Sequence, residues 1–396
     1  MPAAADIWLA CHGPLACNSG GHVRALATGL AHRGCAVTVC VPERSTDDGG
    51  LPADVRLLTF AEATRGGDVA APDLVHLWTP RERMRRFLDA VRRRFGPVPY
   101  LVHLEDNESL ILRQQLGILP HEMDDVADGL RPLEVPEHLI HPAHAARLLA
   151  EAAGATALIA ALLETVPAGV PTAVFRPGYD PAFAAPRPNA GRDVRRRLGI
   201  AADRRIVTYT GNVHAANVAE VRSLYLAVAL ANRTGLPLTL VRTGIDHVPL
   251  TDHGLDDLHR HAVELGHVPR GDLPDLVHAA DVLVQPGRVD EWNACRVPSK
   301  LPDYLVSGRA VVLPRVNLGT ELRHGIDAIV LDDASAEGLV AAFHEWLPQP
   351  ERLVAIGAAG RQAAVARLTW EEAADIVADF QQRVLDEADR AAAGSA

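Results

Sequence analysis

Only one of the 39 basic side chains in this sequence is a lysine, Lys300; the other 38 are arginine. A chain that elsewhere always chooses the planar guanidinium uses a compact ammonium at one place, Pro298-Ser299-Lys300, where a helix over 300–307 is predicted to open. An ammonium at a helix opening suits phosphate oxygens. The plainer reading is one lysine left on a solvated face. Arg242, in Leu240-Val241-Arg242-Thr243-Gly244, follows a predicted strand, and Arg296 lies just ahead of Lys300. The paired glycines Gly20-Gly21 sit where a strand–loop passes into a helix, so their backbone N–H groups could face an anion. Taken alone, such a pair is more often a tight turn that lets a helix pack on a sheet.

These groups need a scaffold, and the pattern supplies one. Ile7–Cys11 reads as a strand, 12–19 as a loop, and the next helix buries Val23, Leu26, Ala27 and Leu30 at helical spacing. Gly34 ends that helix, and Ala36–Val41 returns as a strand. Further strands are predicted at Asp73–Leu77 and Pro99–Leu104, with helices over 81–95 and 143–164; prolines at 120, 132 and 136 break 110–140 into short pieces. A Pro/Gly cluster from Pro177 to Gly191 marks a linker. The alternation then restarts. Strands are expected at Arg205–Thr210, Leu238–Val241, Asp281–Gln285 and Ala310–Leu313, with helices over 216–232 and 300–307 and a last helix from Trp370 to Asp389. Strand–helix–strand alternation implies parallel sheets.

Composition narrows the classes. With 396 residues the chain can form two domains, and 48% hydrophobic with 22% charged residues describes a globular protein. The net charge of −11 argues against nucleic acid as a partner, though local cations can still hold a diphosphate. No apolar run would span a bilayer, and Met1–Cys11 has no basic region of the kind a signal peptide needs, so a cytoplasmic location is expected. The five cysteines form no CxxC pair and the 18 histidines no HExxH spacing, so no metal site is expected. The stretch Arg81–Arg94 holds seven arginines around Met84, Phe87, Leu88 and Val91. It could touch an anionic membrane, but burial of its own apolar face is the commoner outcome.

Three segments in order carry a more specific signal: GHVPRGDLPDLVHAADVLVQPG (266–287), PSKLPDYLVSGRAVVLP (298–314) and NLGTELRHGIDAIVL (317–331). They resemble the donor-binding half of the family-4 group of retaining GT-B glycosyltransferases (glycosyl transferases group 1). NSGGHVRALATGLAHRGCAVTV (18–39) resembles that family's glycine loop and first helix, and VFRPGYDPAF (174–183) its interdomain segment. The resemblance implies an α/β GT-B fold of two Rossmann-like parallel-sheet domains facing a central cleft. Its expected parts are an N-terminal acceptor-side domain (1–175), a linker (176–192), a nucleotide-sugar domain (193–367) and a C-terminal helix (368–396) that returns to the first domain.

The implied activity is transfer of a sugar from a nucleotide-diphosphate sugar to an acceptor with retention of configuration, without a cofactor or metal. The resemblance names neither the acceptor nor the oligomeric state. Lys300 and Arg242 are the expected diphosphate cations, with His103 and Glu105 near the reacting sugar. Gly20, Gly21, Gly211, Asn212, Val268, Glu291, Asn293, Arg296, Ser299 and Asp303 are the expected donor-binding positions, Asp303 on the ribose. The sequence departs from the family pattern at Cys295, where an acid is usual, and at Asn212 and Asn217, where cations are usual. An epimerase on the same scaffold and a catalytically silent partner protein are the competing readings; the first would release altered sugar with no acceptor present.

Overall fold

The computed structural model describes residues 5–45, 50–65, 67–250 and 256–394. The chain divides into two compact units, Met1–Pro177 with Trp370–Ala396, and Gly178–Thr369.

The first unit holds seven strands: β1 (Asp6–Cys11), β2 (Ala36–Val41), β3 (Arg56–Thr59), β4 (Leu74–Trp78), β5 (Tyr100–Leu104), β6 (Gly154–Ala157) and β7 (Thr172–Val174). They lie in the order β3-β2-β1-β4-β5-β6-β7, and every pairing is parallel. Strands buried on both faces cannot alternate polar and apolar residues. Accordingly β4 (LVHLW) and β5 (YLVHL) are buried throughout. The helix Asn18–His32 covers one face through Val23, Leu26, Ala27 and Leu30. Its Gly29 is required by a close crossing: a Cβ there would stand 2.6 Å from the Cβ of Ala374 on the helix Trp370–Gly394. Arg33 clasps the same helix, donating to the Asp375 carboxylate at 2.5 Å and to the Glu371 carbonyl at 2.6 Å.

The second unit holds β8 (Arg205–Thr210), β9 (Leu238–Thr243), β10 (Ala262–Glu264), β11 (Val282–Val284), β12 (Val311–Pro314) and β13 (Ile329–Leu331), in the order β10-β9-β8-β11-β12-β13 and again all parallel. The chain leaves β8 towards β9 on one side, and later returns to pair β11 on the other side of β8. Loops at the carboxyl ends of β8 and β11 therefore diverge, and a doubly wound sheet opens a crevice at such a switch point.

One expectation needs correction. Residues 143–164 are not one helix: the helix Pro142–Ala150 is followed by β6 and by a 3₁₀ turn, Ala160–Thr165. The strand GATA has no β-branched run to announce it. Its smallness is a packing demand, since a Cβ on Gly154 would meet the Phe380 ring at 2.7 Å. The helix expected over 81–95 forms as Glu82–Phe95, but Met84, Phe87, Leu88 and Val91 are buried in its own unit and Phe87 stacks on Phe60 at 4.1 Å. Arg81 pairs with Glu108, Arg85 with Glu82 and Asp89, and Arg86 with Glu137. The apolar side of this helix is thus spent on its own unit. Among the described residues no helix is long and apolar enough to cross one.

Candidate functional site

At the end of β8, Thr210 is locked to the helix Leu301–Val306. Its N–H donates to the Tyr304 hydroxyl at 2.7 Å, and the two hydroxyls lie 3.0 Å apart. This bond places the start of that helix beside Gly211. Lys300, its N-cap, holds its Nζ 4.8 Å from the Tyr209 ring centroid and 2.9 Å from where a Cβ on Gly211 would stand. Among the described residues the ammonium has neither a hydrogen bond nor an ion pair. Desolvation lowers its pKa to about 7, with the Arg296 guanidinium adding to the fall and Glu220 opposing it. Arg296 faces the Trp292 ring at 5.8 Å and likewise has no carboxylate contact among the described residues. His214 stacks on His247 at 4.6 Å; burial, His247, Arg296 and Lys300 all disfavour its protonation.

Several expected site residues prove to be structural here. Arg242 is buried, 3% exposed, and makes a two-pronged pair with Asp246 at 2.6 and 2.9 Å. Glu264 lies 4.0 Å from its Nε. Its charge is already compensated, whereas Lys300 and Arg296 have no carboxylate partner among the described residues. Asp303 does not present a free carboxylate to a ribose. It accepts the Asp180 N–H at 2.7 Å, and Arg270 approaches its other oxygen at 3.3 Å. Burial pushes its pKa up to about 6 against the pull of Arg270.

Asn212 and Asn217 occupy the positions where the resemblance implies cations, and both brace the loop. The Asn212 side chain accepts the Ile245 N–H at 2.8 Å; that of Asn217 accepts the His214 N–H at 2.7 Å and donates to the Asn212 carbonyl at 3.1 Å. Gly211 approaches Gly244 so closely that a Cβ on Gly244 would fall 2.2 Å from the Gly211 oxygen.

The loop after β11 carries the rest. Asp290 caps the short helix Glu291–Ala294 by accepting the Asn293 N–H at 2.9 Å. Asn293 is buried, donates to Glu220 at 2.6 Å, and its carbonyl accepts from Asn317 at 2.9 Å. Glu291 and Ser299 are exposed, and Cys295 is half-buried. Val268 packs on the small cluster around Val194 and Leu276. Glu220, in the first turn of the helix Val218–Arg233, was not picked out from the sequence. Its only advance signal is an acid on the first helix after β8.

In the first unit, Glu105 follows β5 and is buried. Its carboxylate accepts the Ser19 hydroxyl and lies 2.8 Å from His22 Nδ1. Burial favours its neutral form, but the His22 and Ser19 bonds win and hold it below the usual carboxylate range. Ser19 and His22 were also missed in the sequence. His103 is corrected from a site residue to a core residue. It is fully buried between Trp78 at 4.0 Å and Phe175 at 4.9 Å, with Nδ1 on the Thr156 hydroxyl at 2.8 Å. Gly20 is a packing residue, since a Cβ would lie 2.5 Å from the Leu15 Cα, whereas Gly21 is exposed with open space around it. No group of three or more His, Cys, Asp or Glu side chains among the described residues is placed to hold a metal ion.

Comparison with known proteins gives a family match for part of the chain and a structural likeness over nearly all of it. Residues 204–349 match the model of the glycosyl transferases group 1 family. A D-inositol 3-phosphate glycosyltransferase of Thermobispora bispora is 27% identical over 234 residues, a match covering 55% of this chain and about half (51%) of that relative's own length. Among solved structures, sucrose-phosphate synthase from Thermosynechococcus elongatus superposes with a TM-score of 0.70 at 16% identity, over 97% of this chain and all of that one (100%). HepE of Anabaena, solved with UDP and glucose, superposes with a TM-score of 0.67 at 15% identity, over 96% and 100%. At such identities the structural likeness establishes the architecture: the chain has the GT-B fold, and its residues 204–349 are similar to the glycosyl transferases group 1.

Proposed function

We propose that this protein transfers a hexosyl group from a nucleotide-diphosphate sugar to an acceptor hydroxyl, with retention at the anomeric carbon. The reading rests on Lys300, beside Gly211 at the switch point of the second sheet, and on Arg296 within electrostatic range of it, two cations without a carboxylate partner among the described residues. In the transfer, the bond from the sugar's anomeric carbon to the diphosphate oxygen breaks. The acceptor oxygen bonds to that carbon, and the hydroxyl proton leaves with the diphosphate. Negative charge grows on the leaving group, so fixed cations lower the barrier more than they aid ground-state binding. The UDP and glucose bound by HepE, a protein of the same fold, support a nucleotide-sugar donor.

A thermal-shift series with UDP, GDP, dTDP and ADP tests the reading, because a ligand that binds the native state raises its melting temperature. One nucleotide should raise it clearly, and Lys300→Ala and Arg296→Ala should each remove most of that rise. No rise with any of the four would overturn the proposal.

A second reading has one observation in its favour. Asn212 and Asn217 spend their side chains on the backbone of the loop after β8, as a silent partner protein that keeps only the shape of the site would do. Such a protein would show nucleotide binding without release of free nucleotide from any sugar donor.

A further inference from the structure

Glu220 is a carboxylate with one oxygen committed and the other open. It is 7% exposed, yet among the described residues it accepts a single hydrogen bond, from Asn293 Nδ2 at 2.6 Å. An ionised carboxylate can accept about four. Lys300, Arg296 and Arg288 lie within electrostatic range, but none is close enough to form an ion pair among the described residues. Its second oxygen is not sealed from solvent and is therefore available to a ligand. The other acids near the switch point are committed or exposed: Asp303 to Asp180 and Arg270, Asp290 to its helix cap, and Glu291 at the surface.

We propose that Glu220 binds a vicinal diol of the nucleotide sugar, accepting hydroxyl donors while Lys300 and Arg296 hold the diphosphate. The assignment rests on the donor reading above. Glu220 stands in the first turn of the helix after β8, at the carboxyl end of the sheet, in the same crevice as Lys300. A carboxylate is the natural acceptor for two adjacent hydroxyls, and each charge-assisted bond is stronger than a neutral one. Asn293 then orients Glu220 and leaves its second oxygen to the ligand. A carboxylate so near two cations disfavours direct contact with phosphate, whereas a hydroxyl can donate to it while the cations take the phosphates.

The diol belongs either to the ribose or to the sugar, and one set of probes separates them. Binding to wild type and to the isosteric Glu220→Gln is measured by calorimetry with inorganic pyrophosphate, with UDP, GDP and ADP, with their 2′-deoxy forms, and with UDP-glucose, GDP-glucose and ADP-glucose. An unchanged melting temperature without ligand verifies the variant's fold. Pyrophosphate carries no hydroxyl, and losing a neighbouring negative charge should leave its affinity unchanged or raise it. The diol-bearing ligand should instead weaken by about tenfold. If the ribose is the partner, the loss appears with the ribonucleotide and not with its deoxy form. If the sugar is the partner, it appears only with the glucose ester. Equal weakening of every probe, pyrophosphate included, would make Glu220 a structural residue and overturn the assignment. Equal tightening of every probe would make it a charged neighbour only, with the same consequence. Both results would leave the donor reading intact, whereas failure of every nucleotide to bind wild type would overturn both.

Discussion

Lys300 Nζ fills the space in which a side chain at Gly211 would begin: a Cβ there would lie 2.9 Å from the ammonium and 2.9 Å from the Tyr209 hydroxyl. The glycine keeps that space open. Gly211→Ala should lower the melting temperature modestly, because the Lys300 end can swing aside but the buried Tyr209 ring must shift as well. The same substitution should push the ammonium off the Tyr209 ring and weaken binding of the preferred nucleoside diphosphate by about tenfold. Calorimetry against wild type, with a melting curve as control, checks both parts.

The pKa of Lys300, lowered to about 7, makes its charge sensitive to pH near neutrality. The ammonium is present below that value and lost above it. Affinity for pyrophosphate should therefore fall as pH rises through about 7, while bound phosphate, by favouring the charged form, moves the fall upward. Ionisation of the ligand itself acts in the opposite direction, since a more charged phosphate binds better. Lys300→Arg isolates the contribution of the side chain: the guanidinium stays charged, so the fall should vanish even if absolute affinity drops. Dissociation constants across the neutral range decide the matter, and a parallel pH dependence in both proteins would exclude Lys300 as its source.

Arg242 and Asp303 should behave as structural residues. Arg242→Ala leaves Asp246 and Glu264 without their cation and should cost roughly 1–3 kcal/mol, less than a fully buried pair because Asp246 is one-third exposed (33%). Asp303→Asn weakens the hold on the Asp180 N–H and on Arg270 and should cost about 1 kcal/mol. Urea unfolding reads these losses. Nucleotide affinity of the folded variants should stay within about threefold of wild type; a larger loss in Asp303→Asn with stability kept would restore the ribose role that the family resemblance suggests.

The legible and illegible parts of this chain divide along physical lines. The strands β1, β2, β4, β5, β8 and β9 are five or six residues long and rich in β-branched or aromatic side chains, enough for composition to reveal them. β7, β10, β11 and β13 are three residues long, too short for a pattern; β11 was found only because Pro286 and Gly287 close an apolar run. Lys300 stood out because it is the only lysine. The roles of Arg242 and Asp303 could not be read, because what decides them is a partner. Asp246 lies only four residues from Arg242, but its pairing depends on the turn after β9, and Asp180 is 123 residues from Asp303. Ser19, His22 and Glu220 were missed for the same reason. Their importance lies in a contact with Glu105 or Asn293 that only the folded sheets create.

In the first unit, His76 and His103 share one hydroxyl. His76 Nε2 lies 2.9 Å and His103 Nδ1 2.8 Å from Thr156 Oγ1, so the hydroxyl can donate to one ring, which must then be neutral, and accept from the other. Burial lowers the pKa of His76 to about 3 and drives that of His103 well below its ordinary 6.5. The sign follows from proton counting. Between about 6.5 and about 3 the unfolded chain binds protons at these rings and the folded chain does not. Stability is thus full above about 6.5 and is lost progressively as pH falls. Asp303 and Glu108, with pKa values raised to about 6 and about 7, act oppositely, since there the folded state binds the proton. The whole-protein curve mixes both signs, so a difference between two proteins is the cleaner observable. His76→Gln removes one titrating ring and keeps a side chain able to reach Thr156 and Gln381, which lies 3.3 Å from His76 Nδ1 on the helix Trp370–Gly394. Urea midpoints for both proteins, from neutral pH to about 5, should converge as the solution is acidified. Wild type should lose on the order of 1–2 kcal/mol more than the variant over that range. Parallel curves would mean that the buried histidine pair does not couple folding to protons.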